Sequence, residues 1–445
     1  MRVIIVGAGQ VGSSIAADLD ATHDVVVVDC DPERVDELNY SLDVLAIHGN
    51  GTAVETLEEA GIEQADMVIA STDDDETNIV VCATAKAVSS AFTIARVKNT
   101  EYLRTWQHSE KAFGVDFMVC TNLLAAESIV RVVGLPAARD VDPFAGGKVQ
   151  MAEFEIDEES PVADQTVSEA DRFDSLTFAA ILRDGAVTIP RGDTVIRPGD
   201  RVVVIGSPQS VQGFATTISP EEAPGTAEEV VIVGGSEIGY HVARLLEERG
   251  FKPRLLEQDS ERARELAEEL PNTIVMESDA TDIDFLEREY IGDADLLVSA
   301  LDSDEKNLLV SLLAARLGVE RTVAVIDTTP YVELFEAVGV DVGVSPREVV
   351  AEEITRFTRE GGAENVALIE SDKAEVLEIE VDTNSVLSGK PIRESVAALP
   401  KGVVIGAITR NREFVTPRGD TVIEPGDHVV VFADSSVVGD VAPKL

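Results

Sequence analysis

The chain has 445 residues, 44% of them hydrophobic, enough to bury several cores of ordinary domain size. Its 83 acidic residues against 36 basic ones give a net charge of -47, with 26 Arg to 10 Lys. Without a basic stripe, nucleic-acid binding is excluded, and the acids interleave with periodic apolar segments, which excludes a disordered acidic chain.

Such self-repulsion is tolerable at molar salt, where the screening length falls to about 3 Å, so the composition fits the cytoplasm of a salt-accumulating halophile. No leader-like segment precedes the first strand, and no apolar run approaches the 18 or so residues that cross a bilayer. A soluble, cytosolic protein is expected. Cys30, Cys82 and Cys120 lack C-x-x-C spacing and sit in apolar or helical stretches, so they are expected to be buried thiols, outside any disulfide or zinc site.

In chain order, RVIIV (2–6) is a continuous apolar run, as in a strand buried on both faces of a parallel sheet. GAGQVG follows, placing Gly7, Gly9 and Gly12 in G-x-G-x-x-G around Ala8, Gln10 and Val11, and SSIAADL continues as a helix. The roles expected are a tight turn at Gly7, close approach of a pyrophosphate at Gly9 and helix packing at Gly12. A second strand, DVVVVD, ends at Asp29, where an acid takes ribose hydroxyls, favouring NAD(H) or an adenine nucleotide over NADP. VLAIHG, ADMVIAST and FTIARV continue an open doubly wound α/β sheet. Ligand loops at the strand ends then put Asn50, Gly51, Thr72, Asp73 and Arg96 around the cofactor. The run DDDE (73–76) is read as the first turn of a helix, where acids complement the dipole, in preference to a metal site. Residues 121–133 read as an apolar helix, which either crosses to a neighbouring subunit or packs as a core helix.

Next comes a small α+β module (145–218) with short strands in KVQMAEFEI, TFAAILRD and RVVVIG. It contains PRGDTVIRPGDRVVVIG (190–206), which returns as PRGDTVIEPGDHVVVFA (417–433) with 13 of 17 positions identical. Turn geometry at Pro and Gly accounts for this without a ligand. The offset of 227 also carries RVIIVGAGQVGSSIAADL onto EVVIVGGSEIGYHVARLL (229–246), and ADMVIASTDDDETN recurs as ADLLVSALDSDEKN. The chain is therefore a tandem duplication. The expected domains are 1–134, 145–218, 229–360 and 370–445, with an acidic Pro/Gly linker at 219–228.

In the second half GGSEIG keeps Gly234 and Gly239 around Gly235, Glu237 and Ile238, while Ser236 replaces the middle glycine and its Cβ is expected to crowd a pyrophosphate. Glu257 stands at the end of LLE. Asp279, Ala280, Leu301 and Asp302 occupy the remaining loop positions, and Val325 and Ile326 stand where the first half has Arg96. Whether this second site binds stays open. SPREVVAEEITRF then starts a helix with Ser345 and Glu348 as a capping box and Pro346 at its first position.

A Rossmann-like unit, a following helix and a module ending in P-R-G-D-T...P-G-D, repeated in tandem, resemble the RCK (regulator of potassium conductance) family. In this duplicated, channel-free form they resemble the peripheral nucleotide-binding subunits of Trk-type potassium uptake systems. The resemblance covers nearly the whole chain. It implies a cytosolic ring, a homotetramer, docked beneath a membrane potassium-translocating subunit, with NAD(H), or ATP and ADP, biasing its conformation. It implies no catalytic residue and no metal. An NAD-dependent dehydrogenase would need a substrate domain, whereas each sheet is followed by only about 70 residues. His23, His48, His108, His241 and His428 show no placement shared between halves, and His48 reads as a loop residue. A calcium or dinucleotide second-messenger sensor would have to use the small modules, where acids carry no signal in so acidic a chain.

Overall fold

The protein is described from a computed structural model. It describes all residues except 110–111, 136–137, 184–185, 219–228, 359–362, 370–373, 384, 412, 435–436, 439–440 and 442–445. The expected linker at 219–228 lies outside the described residues.

The first half opens with alternating strands and helices: β1 (Arg2–Val6), α1 (Gln10–Leu19), β2 (Asp24–Asp29), α2 (Pro32–Ser41), β3 (Leu45–His48), α3 (Val54–Glu59), β4 (Met67–Ala70), α4 (Asp75–Val88), β5 (Phe92–Val97), α5 (Thr100–His108), β6 (Phe117–Cys120) and α6 (Thr121–Val133). The six strands pair in parallel in the order β3-β2-β1-β4-β5-β6. Val3, Ile4 and Ile5 are fully buried because helices cover both sheet faces, which is why these strands are continuously apolar.

A small antiparallel module follows: β7 (Ala138–Phe144), β8 (Val149–Glu155), α7 (Val167–Ala170), β9 (Leu176–Arg183), β10 (Ala186–Thr188), β11 (Arg201–Gly206) and α8 (Pro208–Ile218), with sheet order β10-β9-β11-β8-β7.

The second half repeats the design with β12 (Val230–Val233), α9 (Glu237–Glu248), β13 (Arg254–Glu257), α10 (Ser260–Glu269), β14 (Ile274–Glu277), α11 (Ile283–Arg288), β15 (Leu296–Ser299), α12 (Asp304–Leu317), β16 (Arg321–Val325), α13 (Val332–Ala337), β17 (Val342–Val344) and α14 (Pro346–Thr358). Its sheet order is β14-β13-β12-β15-β16-β17. The second module holds β18 (Ala363–Ile369), β19 (Ala374–Glu380), α15 (Ile392–Ser395), β20 (Val403–Arg410), β21 (Glu413–Val415) and β22 (His428–Asp434), ordered β18-β19-β22-β20-β21.

These pieces form two compact units, and like associates with like. One unit joins Met1–Val130 to Glu228–Thr355, and the other joins Arg131–Ala227 to Arg356–Leu445. In the first, Val350, Ala351 and Ile354 of α14 are buried in the core of the other half, among Val3, Ile5, Ile15 and Val27. Burying Val350 and Ile354 there contributes roughly 3 to 6 kcal/mol together. Thr355 Oγ1 also donates to Asp18 at 3.1 Å. The helix therefore crosses between halves of one chain. Ser345 Oγ accepts the Glu348 N–H at 3.4 Å at its start. In the second unit Phe144, Met151 and Val203 share a core with Val376, Val430 and Phe432 of the other module.

The twice-written stretch has the same bonds in both copies. Asp200, almost fully buried, accepts Arg183 Nε and Nη2, both at 2.6 Å, and the Arg197 N–H at 2.7 Å. Asp427, equally buried, accepts Arg410 Nε at 2.8 Å and Nη2 at 2.7 Å, and the Glu424 N–H at 2.8 Å. Thr194 and Thr421 accept the N–H of Arg191 and Arg418. Gly199 and Gly426 sit at φ +78° and +86°, where a side chain is strained. Turn geometry explains part of the motif, and a buried two-bonded ion pair explains its aspartate.

Among the described residues, no helix is long and apolar enough to cross a membrane. Cys82 and Cys120 are buried, and burial pushes their thiols up to about 12 and about 11. Cys30 is exposed, contrary to expectation, because the chain leaves the sheet at Asp29 and Cys30 already belongs to the surface turn. His48, expected in a loop, is the last residue of β3, and its Nε2 lies 3.1 Å from the Cys30 carbonyl.

Candidate functional site

The glycine loop of the first half is shaped by three different constraints. Gly7 has φ +109°, and a Cβ there would lie 2.9 Å from the Thr72 nitrogen. A Cβ on Gly12 would lie 1.8 Å from the Gly7 carbonyl oxygen, so α1 packs directly on the loop. Gly9 meets nothing nearer than Arg34 Nη1 at 3.7 Å, which leaves its outer side open. Ala8 and Val11 are buried and Gln10 is exposed. No side chain caps α1 at Gly9, so its first-turn N–H groups remain directed outward.

Asp29 Oδ2 accepts the Ala8 N–H at 2.5 Å, and Oδ1 accepts the Asp31 N–H at 2.8 Å. The carboxylate thus ties the end of β2 to the glycine loop. Asn50 turns its carbonyl onto Thr52, and Gly51 is required by close packing, since a Cβ would lie 2.3 Å from Val6 Cγ1.

Arg96 is buried at the end of β5. Its Nε donates to Thr121 Oγ1 at 3.1 Å, and Nη1 reaches the Thr72 carbonyl at 3.4 Å and Asp73 at 3.5 Å. Burial pulls the guanidinium below its ordinary value, and Asp73 opposes that shift. For Asp73, burial pushes the carboxyl up, but Lys98 and Arg96 outweigh it and hold it below the usual carboxylate range. The rest of the acidic run does what a helix start demands. Asp74 caps α4 by accepting the Thr77 N–H at 2.7 Å, and Asp75 and Glu76 lie in its first turn.

The second half repeats the geometry with compensated changes. Gly234 has φ +103°, and a Cβ on Gly239 would lie 2.0 Å from the Gly234 carbonyl oxygen. Glu257 accepts the Gly235 N–H at 2.6 Å and the Asp259 N–H at 2.7 Å, as Asp29 does for Ala8 and Asp31. The longer acid fits because Gly235 has no Cβ, which would stand 2.7 Å from Glu257 Oε2. Ser236 caps α9, accepting the Gly239 N–H at 3.2 Å and donating to the Ala300 carbonyl at 2.7 Å, with Glu237 and Ile238 in the first turn. Its hydroxyl is folded back onto the protein. Asp279 accepts the N–H and hydroxyl of Thr281, as Asn50 does for Thr52, and Ala280 is buried. Leu301 N–H donates to Asn307 Oδ1 at 2.8 Å, and Asp302 is exposed.

A cleft of about 890 Å³ opens on this second loop. It brings together Gly235, Ser236, Glu237, Ile238, Glu257, Leu301 and Asp302, and it is also lined by Arg96, Lys98, Thr121 and Asn122 of the first half. Val325 offers no charge where Arg96 would stand, but Arg96 itself reaches this cleft, joined by Arg262 and Arg347. Acids outnumber these four cations along the walls, and Arg262 and Arg347 are already paired with Glu237 and Asp327.

Sequence reading missed Asn78 and Asn307, which are fully buried. Asn78 Oδ1 accepts the Thr72 N–H at 2.8 Å, while Nδ2 donates to the Thr72 and Arg96 carbonyls at 2.9 and 2.8 Å. Asn307 makes the same bonds to Leu301 and Val325. The signal was present, since both copies of the repeated stretch after β4 and β15 end in this asparagine.

Comparison with known proteins agrees with the architecture. The TrkA-N domain matches residues 3–121 and 230–346, and the TrkA-C domain matches 151–218 and 376–445. The chain is 37% identical to a Trk system potassium uptake protein TrkA homolog of Methanosarcina mazei, covering 99% of both chains. It is 38% identical to one from Archaeoglobus fulgidus, covering 97% of both. Its fold is similar to the GsuK RCK domain, with TM-score 0.60 and 21% identity over 99% of this chain and 94% of that one. The GsuK channel bound to NAD gives TM-score 0.60 at 20% identity, over 100% of this chain and 78% of that one. With two TrkA-N and two TrkA-C domains in tandem, the chain belongs to the TrkA family of Trk potassium uptake proteins.

Proposed function

We propose that this chain is a regulatory nucleotide-binding subunit with no catalysis of its own, which gates potassium uptake through a membrane-embedded Trk-type partner. The observation that carries the reading is the asymmetric constraint on the first loop. Gly7 and Gly12 are closed by backbone, whereas Gly9 is open to an approaching group beside an uncapped helix N-terminus. A pyrophosphate would sit over Gly9, with Asp29 facing the ribose of NAD(H), ADP or ATP. The GsuK channel has been solved with NAD, which supports that ligand class.

Gating follows from where the ligand sits. The second cleft is lined by both halves of one compact unit, so a ligand touching both favours one arrangement of the halves over another. A homotetrameric ring, peripheral to the cytosolic face of the membrane, would pass that bias to its partner.

The test is calorimetric titration of NADH, NAD, ATP and ADP in molar KCl, on the wild type and on Gly9→Val. Because the Gly9 position has free space, Gly9→Val should fold normally and lose the ligand of the first half. Failure of the folded wild type to bind any of the four overturns the reading.

A further inference from the structure

Position 71 differs chemically from its counterpart, Ala300. Ser71 and Ala300 both follow the central strand's neighbour, donating their N–H to the last residue of β1 and β12, at 2.9 Å to Val6 and 2.8 Å to Val233. Ser71 Oγ is buried and has no hydrogen-bond partner. It stands 3.0 Å from where a Cβ of Gly12 would be, against the first turn of α1. An unpaired buried hydroxyl is costly and calls for an explanation, and a partner supplied by a bound ligand is one.

In the second half the hydroxyl has moved. Ala300 has none, and Ser236 supplies one that is fully satisfied by the Gly239 N–H and the Ala300 carbonyl. The first half therefore keeps an enclosed, unpartnered hydroxyl beside an uncapped helix end, while the second half fills the equivalent place with a bonded side chain.

We propose that Ser71 is a phosphate-directed ligand group that makes the first half the phosphate-dependent nucleotide site, and that Ser236 with Ala300 makes the second half a site whose glycine loop does not take the phosphate. Ser71 Oγ donates its proton to a phosphate oxygen of the nucleotide, through one bridging water at most. Any ligand of the second cleft is met instead by Glu257 and by the cations that line it. The inference rests on the nucleotide-binding reading above.

Full-length wild type, Ser71→Ala and the double exchange Ser236→Gly/Ala300→Ser would be titrated with ADP, NADH and adenosine in molar KCl, with melting of each ligand-free protein recorded. Ser71→Ala should weaken ADP and NADH about tenfold or more and leave adenosine within about twofold. Its ligand-free melting temperature should be unchanged or higher, because an unpaired group has been removed. The double exchange should add a second phosphate-dependent equivalent per chain. ADP binding to Ser71→Ala within about twofold of wild type overturns the inference, as does equal filling of two ADP sites by the wild type. Equal weakening of adenosine and ADP together with a lower melting temperature would show a structural role and also overturn it. A wild type that binds neither ADP nor NADH overturns the underlying nucleotide reading instead.

Discussion

Replacing Asp200 by Ala tests why one stretch is written twice. Asp200 accepts two guanidinium bonds from Arg183 and one N–H bond, with its side chain about 1% exposed. Removal leaves Arg183 facing an emptied position and the Arg197 N–H unpaired. Breaking a buried pair costs about 3 to 5 kcal/mol, but the Arg183 side chain is 32% exposed and partly rehydrates, so about 3 kcal/mol is expected. For a unit of roughly 190 residues, each kcal/mol shifts Tm by about 2 to 4 °C, giving about 6 to 12 °C. Asp427→Ala removes the same set of bonds, so the two losses should agree within about 1 kcal/mol. Thermal and denaturant unfolding at 1 M and 3 M KCl would measure both. Since the carboxylates are buried, salt should hardly change the losses. A loss below about 1 kcal/mol, or one that vanishes at 3 M KCl, would refute the assignment of these aspartates to a buried structural ion pair.

Three further outcomes follow from the first unit. Gly12→Ala and Gly239→Ala place a Cβ 1.8 and 2.0 Å from a backbone oxygen and should cost about 3 kcal/mol or more, whereas Gly9→Ala should leave Tm unchanged; the three melting curves decide it. Asn78→Ala leaves the Thr72 N–H and the Arg96 carbonyl unpaired and should cost about 2 to 4 kcal/mol, with weaker nucleotide binding because both ligand loops lose their tie. His241 is buried with neither ring nitrogen hydrogen-bonded, Nε2 lying 3.9 Å from Glu237, and burial, aided by Arg244 and Arg104, holds it down to about 4. The unfolded chain takes up this proton near pH 6.5, so stability is fully present above that pH. As pH falls toward 4 it declines by up to about 3 kcal/mol, and His241→Leu should remove this part of the slope in stability measured against pH.

Much of this was legible along the chain. Continuous apolar runs named the buried parallel strands, and the order of glycines, helix and terminal acid named the loop that Asp29 ties to Ala8. The acidic run at 73–76 read correctly as a helix start because capping is a local interaction. Ser236 was less legible. Its place in the glycine loop was plain, while its hydroxyl turns inward onto Gly239 and Ala300, a direction that no local pattern encodes.

The sequence by itself determined the duplication, the α/β character of each half and the turn chemistry of the modules. All of these depend on spacing over a few residues or on one fixed offset. Only the tertiary structure decided that like units associate across the chain, that α14 is buried in the opposite half, and that Arg96 of one half reaches the cleft of the other. Periodicity shows which face of an element is apolar, but apolar contact is non-directional, so the partner of that face is chosen only when distant surfaces meet in three dimensions.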